Sequence, residues 1–425
     1  MYPTLFKIPY LPDWLADVKS YGVMMMIAFL SGIWMCCRRA DRSRANADIE
    51  LNIGFLGLIF GVAGARAMFV IHYWDTRFAN QPNPFAAIFD IRAGGLEFWG
   101  GPLLTIPAVM IYLRYIAKAS PRWYLDITVP SLAWGLAITR IGCFLNGCCW
   151  GSTCVDEHDP AWNKAALPWA VHFPYGSPAM GQQYQFGQLT LPKELIYSRH
   201  GGESYPLSRD YIDAALKDEG RTAAQLQSQY QAALTELTRL QTEKAEPAAL
   251  KLAGEREESA RKALMTHELS TGIGVVERQA RKYGLTVAEL AQLASAYRSK
   301  PVHPTQIYEF ISGMLICWFL TVLFYYRKRH GILLGWFLIL YSISRLLLEA
   351  IRQDNPLDVG GLTISQAISV GCFVAGLLWL WIVYTKMPLA SPLAVPFEPP
   401  EEPDHPAEGR ARANANAEAP MARRR

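Results

Sequence analysis

An arginine stands inside an apolar run in the stretch Arg140-Ile-Gly-Cys-Phe-Leu-Asn-Gly-Cys-Cys-Trp-Gly151. A guanidinium in a hydrocarbon-compatible helix is costly and calls for an anionic partner. The glycines behind it, Gly151 among them, let the backbone approach a ligand, and Asn146 supplies amide donors. That combination suits chemistry on a lipid headgroup at a membrane surface. Arg66 and Arg345 lie in two other apolar stretches. Each of the three arginines is about 13–15 residues from the inner end of its helix, or ~20–22 Å at a rise of ~1.5 Å per residue. Three guanidinium groups at one depth make a phosphate site, since each can contact phosphate at two points. Tyr341, Arg345, Glu349 and Arg352 fall within roughly an 80° arc of one helix. Glu349 is therefore expected between Arg345 and Arg352, holding both while the group stays net positive.

Other segments could line the same site. Gly94-Gly-Leu-Glu-Phe-Trp-Gly-Gly101 pairs glycines around two aromatics, as a chain turning back to line a cavity would. His303-Pro-Thr-Gln-Ile-Tyr-Glu309 opens a helix at the same membrane face. Pro304 suits its first turn, and the helix dipole favours Glu309 there. Gly54, Gly57, Gly61 and Gly64 form a small-residue seam for close helix packing. Cys143, Cys148, Cys149 and Cys154 crowd one helix end with spacings of five, one and five, which match no common zinc pattern. In an oxidising compartment one disulfide within the group is expected, and no metal or other cofactor.

Seven helices must position these groups, each long enough, or nearly so, to cross a bilayer: about Tyr21–Cys37, Leu51–Ile71, Phe98–Ala117, Leu125–Gly147, Gln306–Tyr326, Ile332–Ile351 and Thr363–Tyr384. Within 425 residues that are 51% hydrophobic, they alternate with polar segments, and a net charge of +4 gives no argument for nucleic acid. Arg38, Arg39, Arg42 and Arg44 follow the first helix, Arg114, Lys118 and Arg122 the third, and Arg327, Lys328 and Arg329 the fifth. This excess places the N-terminus outside and the C-terminus in the cytoplasm. The expected fold is all-α and polytopic, with helices one to four in residues 1–151 and five to seven in 302–387. An extracytoplasmic insertion, 152–301, separates them, and a tail rich in Pro, Ala and Arg, 388–425, is expected to be disordered and cytoplasmic. Leu226, Tyr230, Ala233, Leu237 and Leu240 give the insertion a helix with an apolar seam. Pro247 ends it, and Ala248–His267 can fold back as a second helix. Gly284, Thr286 and Glu289 mark a further helix end followed by a capping box.

In order along the chain, these segments resemble the motifs of the prolipoprotein diacylglyceryl transferases. Tyr21-Gly22, Gly64-Ala-Arg66, the Gly94–Gly101 segment, the Arg140–Gly151 signature, His303–Glu309 and Tyr341-Ser-Ile-Ser-Arg345 with Glu349 and Arg352 carry the likeness. The resemblance implies a multi-pass enzyme of the bacterial plasma (inner) membrane. It would move the diacylglyceryl group of phosphatidylglycerol to the lipobox cysteine thiol of a prolipoprotein and release glycerol 1-phosphate. Arg140 and Arg345 would hold the phosphate, with Tyr21, Asn146 and Tyr341 orienting the headgroup. Three positions depart from the commoner pattern: Trp99 stands where the family often has histidine, Cys143 where it has asparagine, and Cys148 where it has glutamate. With that histidine absent, Glu97 is the expected base for the incoming thiol and His303 the second candidate. A transporter or channel, or a family member with lost or altered chemistry, are the competing readings.

Overall fold

The computed structural model describes residues 4–8, 10, 17–79, 83–89, 95–156, 164–198, 204–218, 221–243, 246–270, 272–352 and 363–389. In chain order the helices are α1 Ser20–Arg42, α2 Ala47–His72, α3 Pro84–Phe89, α4 Gly100–Ile111, α5 Pro121–Asn146, α6 Pro178–Gln185, α7 Arg209–Asp218, α8 Arg221–Thr242, α9 Pro247–Ser270, α10 Gly272–Lys282, α11 Val287–Ala296, α12 Thr305–Tyr326, α13 Ile332–Glu349 and α14 Ile364–Lys386. The all-α expectation holds apart from two short antiparallel pairs, β1 Thr4–Lys7 with β2 Asp17–Lys19 and β3 Ile196–Ser198 with β4 Ser204–Pro206. The segment read as a disordered tail lies, from residue 390 on, outside the described residues.

Two compact units divide the chain. One comprises Gly22–Ile141, Tyr308–Ala350 and Pro356–Arg425; the other comprises Met1–Tyr21, Gly142–Ile307 and Ile351–Asn355. Among the described residues six helices are long and apolar enough to cross a membrane: α1, α2, α5, α12, α13 and α14. Their outer surfaces stay apolar. Leu58, Ile59, Trp318, Leu377 and Trp381 are all exposed, which in water would be an aggregation surface and in lipid is the expected finish. The chain is thus a polytopic helical membrane protein. The third expected span is shorter than the rest, an apolar helix of Gly100–Ile116 whose last turn, Tyr112–Ile116, widens to π geometry.

Hydrogen bonds at one end of the first unit set the helix directions. The Asn46 amide donates to Tyr124 Oη at 3.1 Å, and Thr128 donates to Glu50 at 3.0 Å. Asp126 accepts from the amides of Gly331 at 2.8 Å and Leu333 at 3.1 Å. The beginnings of α2, α5 and α13 therefore meet, and these three helices run the same way. At the finish of α1, Arg39 donates to Ile127 O and Ser131 at the same end. Arg327, just past α12, pairs with Asp126 at 3.1 Å. Near the finish of α14, Trp379 donates to Gly331 O at 2.7 Å. So α1, α12 and α14 run oppositely to the first three. α4 also opposes α2. Its start packs Gly100 on Gly64, where a Cβ on either residue would strike the other's backbone, and at its far end Tyr112 accepts from Asn52 at 2.8 Å.

Asp126 is fully buried, neutralises Arg327 and caps the first turn of α13. Burial pulls the Arg327 guanidinium down to about 10, so it stays charged at neutral pH. Removing the carboxylate leaves that charge stranded, at a cost of about 3–5 kcal/mol. Asp126→Ala is expected to lower the melting temperature in detergent clearly, and an unchanged melt would show that the pair is dispensable.

In the second unit, α8 and α9 form the expected hairpin, with Pro247 in the first turn of α9. Tyr175, Met180, Leu195, Leu207, Ile212, Val276 and Leu290 share one core beneath α6, α7, α10 and α11. Gly284 turns at φ +65° and the Thr286–Glu289 capping box opens α11, both as the sequence indicates.

Candidate functional site

Within the membrane unit, Arg140 on α5 and Arg345 on α13 converge on one carboxylate, Glu309 on α12. Arg140 Nε pairs with Glu309 Oε2, and Arg345 Nη1 pairs with Glu309 Oε1 at 2.5 Å. Arg345 Nη2 reaches Glu349 Oε2 at 3.0 Å, one helical turn on, and Ser365 Oγ at 3.3 Å. Glu349 is fully buried and accepts from Thr363 Oγ1 at 2.9 Å. Thr363 also forms the capping box that opens α14, so the start of that helix is tied to the cluster.

A narrow cavity of about 20 Å³, room for roughly one water, opens at these groups. Arg140, Glu309, Tyr341, Ser344 and Arg345 line it, above an apolar floor of Leu136, Ile316 and Phe337. Tyr341 stacks on Phe337 with centroids 5.6 Å apart, which fixes its ring at the cavity wall. Two guanidinium groups thus meet two carboxylates. A ligand phosphate would have to use arginine donors beyond those on Glu309 or displace that carboxylate. Each guanidinium carries five N–H groups in a planar fork, so both routes are chemically open.

The expectation of three arginines in one site is corrected. Arg66 is buried, and its guanidinium donates to the carbonyls of Ile88 at 2.7 Å, Ala87 at 2.8 Å and Gly95 at 2.9 Å. Phe69 and Phe78 flank it at 5.6 and 5.5 Å. Arg66 is therefore a clasp that holds α3 and Gly95, because three carbonyls use the fork that a phosphate would need. The polar stripe on α13 is corrected too. The helix ends at Glu349, so Arg352 lies beyond it. The central carboxylate is Glu309, which the sequence reading assigned only to a helix dipole. An acid in an apolar helix, like the arginines, was the signal for a buried partner.

Glu97 lies just before α4, with its amide on Ala65 O at 3.0 Å. Its carboxylate meets His72 Nδ1 at 3.3 Å, a residue the sequence reading passed over. Trp99 sits at the N-cap of α4 and is exposed.

In the second unit the signature ends in a tight turn. Asn146 is the last residue of α5, and Gly147 (φ +73°) and Cys149 (φ +61°) reverse the chain behind it. The turn is then stitched to the segment before α12. The Gly151 amide donates to His303 O at 2.9 Å, and the His303 amide to Ser152 O at 3.0 Å. Thr305 and Gln306 donate to the carbonyls of Cys149 and Cys148, each at 2.7 Å. A side chain at Gly151 would strike His303 Cβ and Thr305 Cγ2. His303 and Gly151 are therefore brought together, with backbone stitching as their visible role. The Ser152 amide also donates to Ile351 O at 2.8 Å, next to Arg352. Tyr21 lies in the first turn of α1, half-buried.

The disulfide expectation is corrected. All eight cysteines are free thiols, and the sulfurs of Cys143, Cys148 and Cys149 lie within 4.8 Å of one another. The two left-handed residues fold the chain so that these side chains converge at the turn. Cys154 is buried separately, its amide on Pro301 O at 2.7 Å. Replacing Cys148, Cys149 and Cys154 by serine is expected to lower thermal stability more than turnover. A lipid trapped as a thioester or thioether on one of them would overturn that.

A bundle of apolar helices around a buried arginine–carboxylate cluster defines a polytopic helical membrane protein. The family model described as prolipoprotein diacylglyceryl transferase matches residues 5–233 and 252–382, and the chain belongs to that family. A relative from Rhodopirellula baltica is 31% identical over 174 residues, covering 40% of this chain and 33% of its own. A Vibrio cholerae relative is 32% identical over 203 residues (46% and 65%), and one from Shewanella oneidensis 33% over 185 (42% and 62%). All three are called phosphatidylglycerol–prolipoprotein diacylglyceryl transferase. The matched part of this chain spans a third to just under two thirds of those relatives' length.

Proposed function

We propose that the protein transfers the diacylglyceryl group of phosphatidylglycerol to the lipobox cysteine thiol of a prolipoprotein and releases glycerol 1-phosphate. The observation that carries this reading is the Arg140–Glu309–Arg345–Glu349 cluster at the cavity. Two fixed guanidinium groups in a low-dielectric site stabilise the charge that builds on a departing phosphate, without reorganising during reaction. Tyr341 on the cavity wall is placed to orient the headgroup. Asn146, Gly151, Tyr21 and Arg352 are assigned to substrate contact from the family likeness.

The enzyme works in the bacterial inner membrane with seven spans, its N-terminus outside and C-terminus in the cytoplasm. The directions of α2, α4 and α5 support this count. α2 and α5 begin at the same end, and α4, an apolar helix between them that runs opposite to α2, suits the return. Residues 152–301 then form the outer insertion. Incubating the purified protein with labelled phosphatidylglycerol and a lipobox peptide tests the function. Thioether-linked lipid on the peptide cysteine is the expected product, and intact peptide with intact lipid would reject it.

A further inference from the structure

The reaction must take a proton from a thiol, and both carboxylates of the arginine cluster are already engaged, Glu309 by Arg140 and Arg345 and Glu349 by Arg345 and Thr363. Among the described residues of the membrane unit there are two imidazoles, His72 and His330. His330 packs on Trp123 beside Gly331, at the end where α5 and α13 begin. His72 ends α2, and α2 runs parallel to the helices that carry Arg140 and Arg345. It therefore belongs to the end where α5 and α13 finish. It stands six residues beyond Arg66, ~9 Å further along at ~1.5 Å per residue.

His72 has the geometry of an aimed base. Nδ1 faces both Glu97 oxygens at 3.3 Å, which selects the tautomer with its proton on Nδ1 and leaves Nε2 as the acceptor. The ring stacks on Tyr73 at 4.7 Å, while 62% of the side chain is exposed. The other charged groups nearby in sequence are Asp75 and Arg77, and Arg77 lies over the Phe69 and Tyr73 rings. The contrast is His267–Glu277 in the second unit, where Nε2 rather than Nδ1 meets the carboxylate at 3.1 Å and both side chains are buried, out of a substrate's reach.

We infer that His72 is the catalytic base for the incoming thiol and that Glu97 is its positioning residue. The inference rests on the transferase reading above. His72 Nε2 takes the proton from the cysteine S–H. The thiolate attacks the glycerol carbon that carries the phosphate, an S–C bond forms, and the C–O bond breaks with its electron pair going to the phosphate oxygen. The imidazolium then returns its proton to the departing phosphate or to solvent. Glu97, the base expected from sequence, acts through the ring: its carboxylate holds the tautomer and steadies the positive charge.

The test uses the full-length protein in phosphatidylglycerol nanodiscs with a lipobox peptide. His72→Gln should lower kcat at pH 7 by about a hundredfold or more, the range for a lost general base. Phosphatidylglycerol binding and the melting temperature should be unchanged. Its rate should climb with pH towards the thiol's own pKa of ~8.5, where the peptide ionises unaided. Added imidazole should partly restore His72→Ala but not Arg345→Ala. Glu97→Gln should lose less than His72→Gln and show the same tilt in its pH profile. An active wild type with a fully active His72→Gln would overturn the inference alone, as would loss in His303→Gln without loss in His72→Gln. A wild type with no turnover would overturn the transferase reading and this inference with it.

Discussion

Arg140→Ala and Arg345→Ala should each lower transferase turnover by about 10²–10³-fold, the scale for removing one preorganised donor from a developing oxyanion. Both guanidinium groups line the cavity, and both are held by Glu309, so neither has to search for its place when substrate arrives. The loss should fall mainly on kcat, because charge accumulates on the phosphate only as the C–O bond breaks. Arg345→Lys is the sharper probe. Arg345 touches Glu309 through one terminal nitrogen and Glu349 and Ser365 through the other. An ammonium is a single point charge and cannot span two carboxylates in a fixed plane, so lysine should recover only part of the rate. Turnover measured at matched membrane levels decides this. Near-normal rates in both alanine variants would remove the cluster from the chemistry.

Arg140 and Arg345 were legible as functional because charge inside an apolar helix has few harmless explanations. Arg66 gave the same signal for a different reason. It donates to three backbone carbonyls, of Ala87, Ile88 and Gly95, and no spacing rule reports carbonyls from elsewhere in the sequence. Glu309 was missed as the hub because its partners lie 169 and 36 residues away, and only the packing of α5, α12 and α13 brings them together. His72 was missed because a histidine at a helix end is ordinary until Glu97 lies against it. The helices themselves were easy to read. Their apolar runs and the arginines that stop them are local, whereas the short α4 needed tertiary contacts at both ends to show its direction.

Glu309 should prove the least replaceable residue of the cluster. Its side chain is 8% exposed and is shared by two guanidinium groups, one on each oxygen. Glu309→Ala leaves Arg140 and Arg345 facing each other with Glu349 as the remaining carboxylate of the four. Breaking a buried ion pair from one side costs about 3–5 kcal/mol, so both the melting temperature and the membrane level should drop. Glu309→Gln separates charge from shape. The amide oxygen can still accept from one arginine, but the NH₂ group now points donors at the other, which must turn away. The cluster also gains a unit of positive charge, so phosphatidylglycerol should bind at least as tightly as to wild type. Turnover should nevertheless fall by about 10²-fold or more, because a donor that must find its place during reaction loses the advantage of preorganisation. Tight lipid binding with lost kcat is therefore the expected signature of Glu309→Gln. Parallel loss of binding and rate would instead make Glu309 a direct ligand of the headgroup, and a wild-type rate in Glu309→Ala would show that the arginines hold their positions without it.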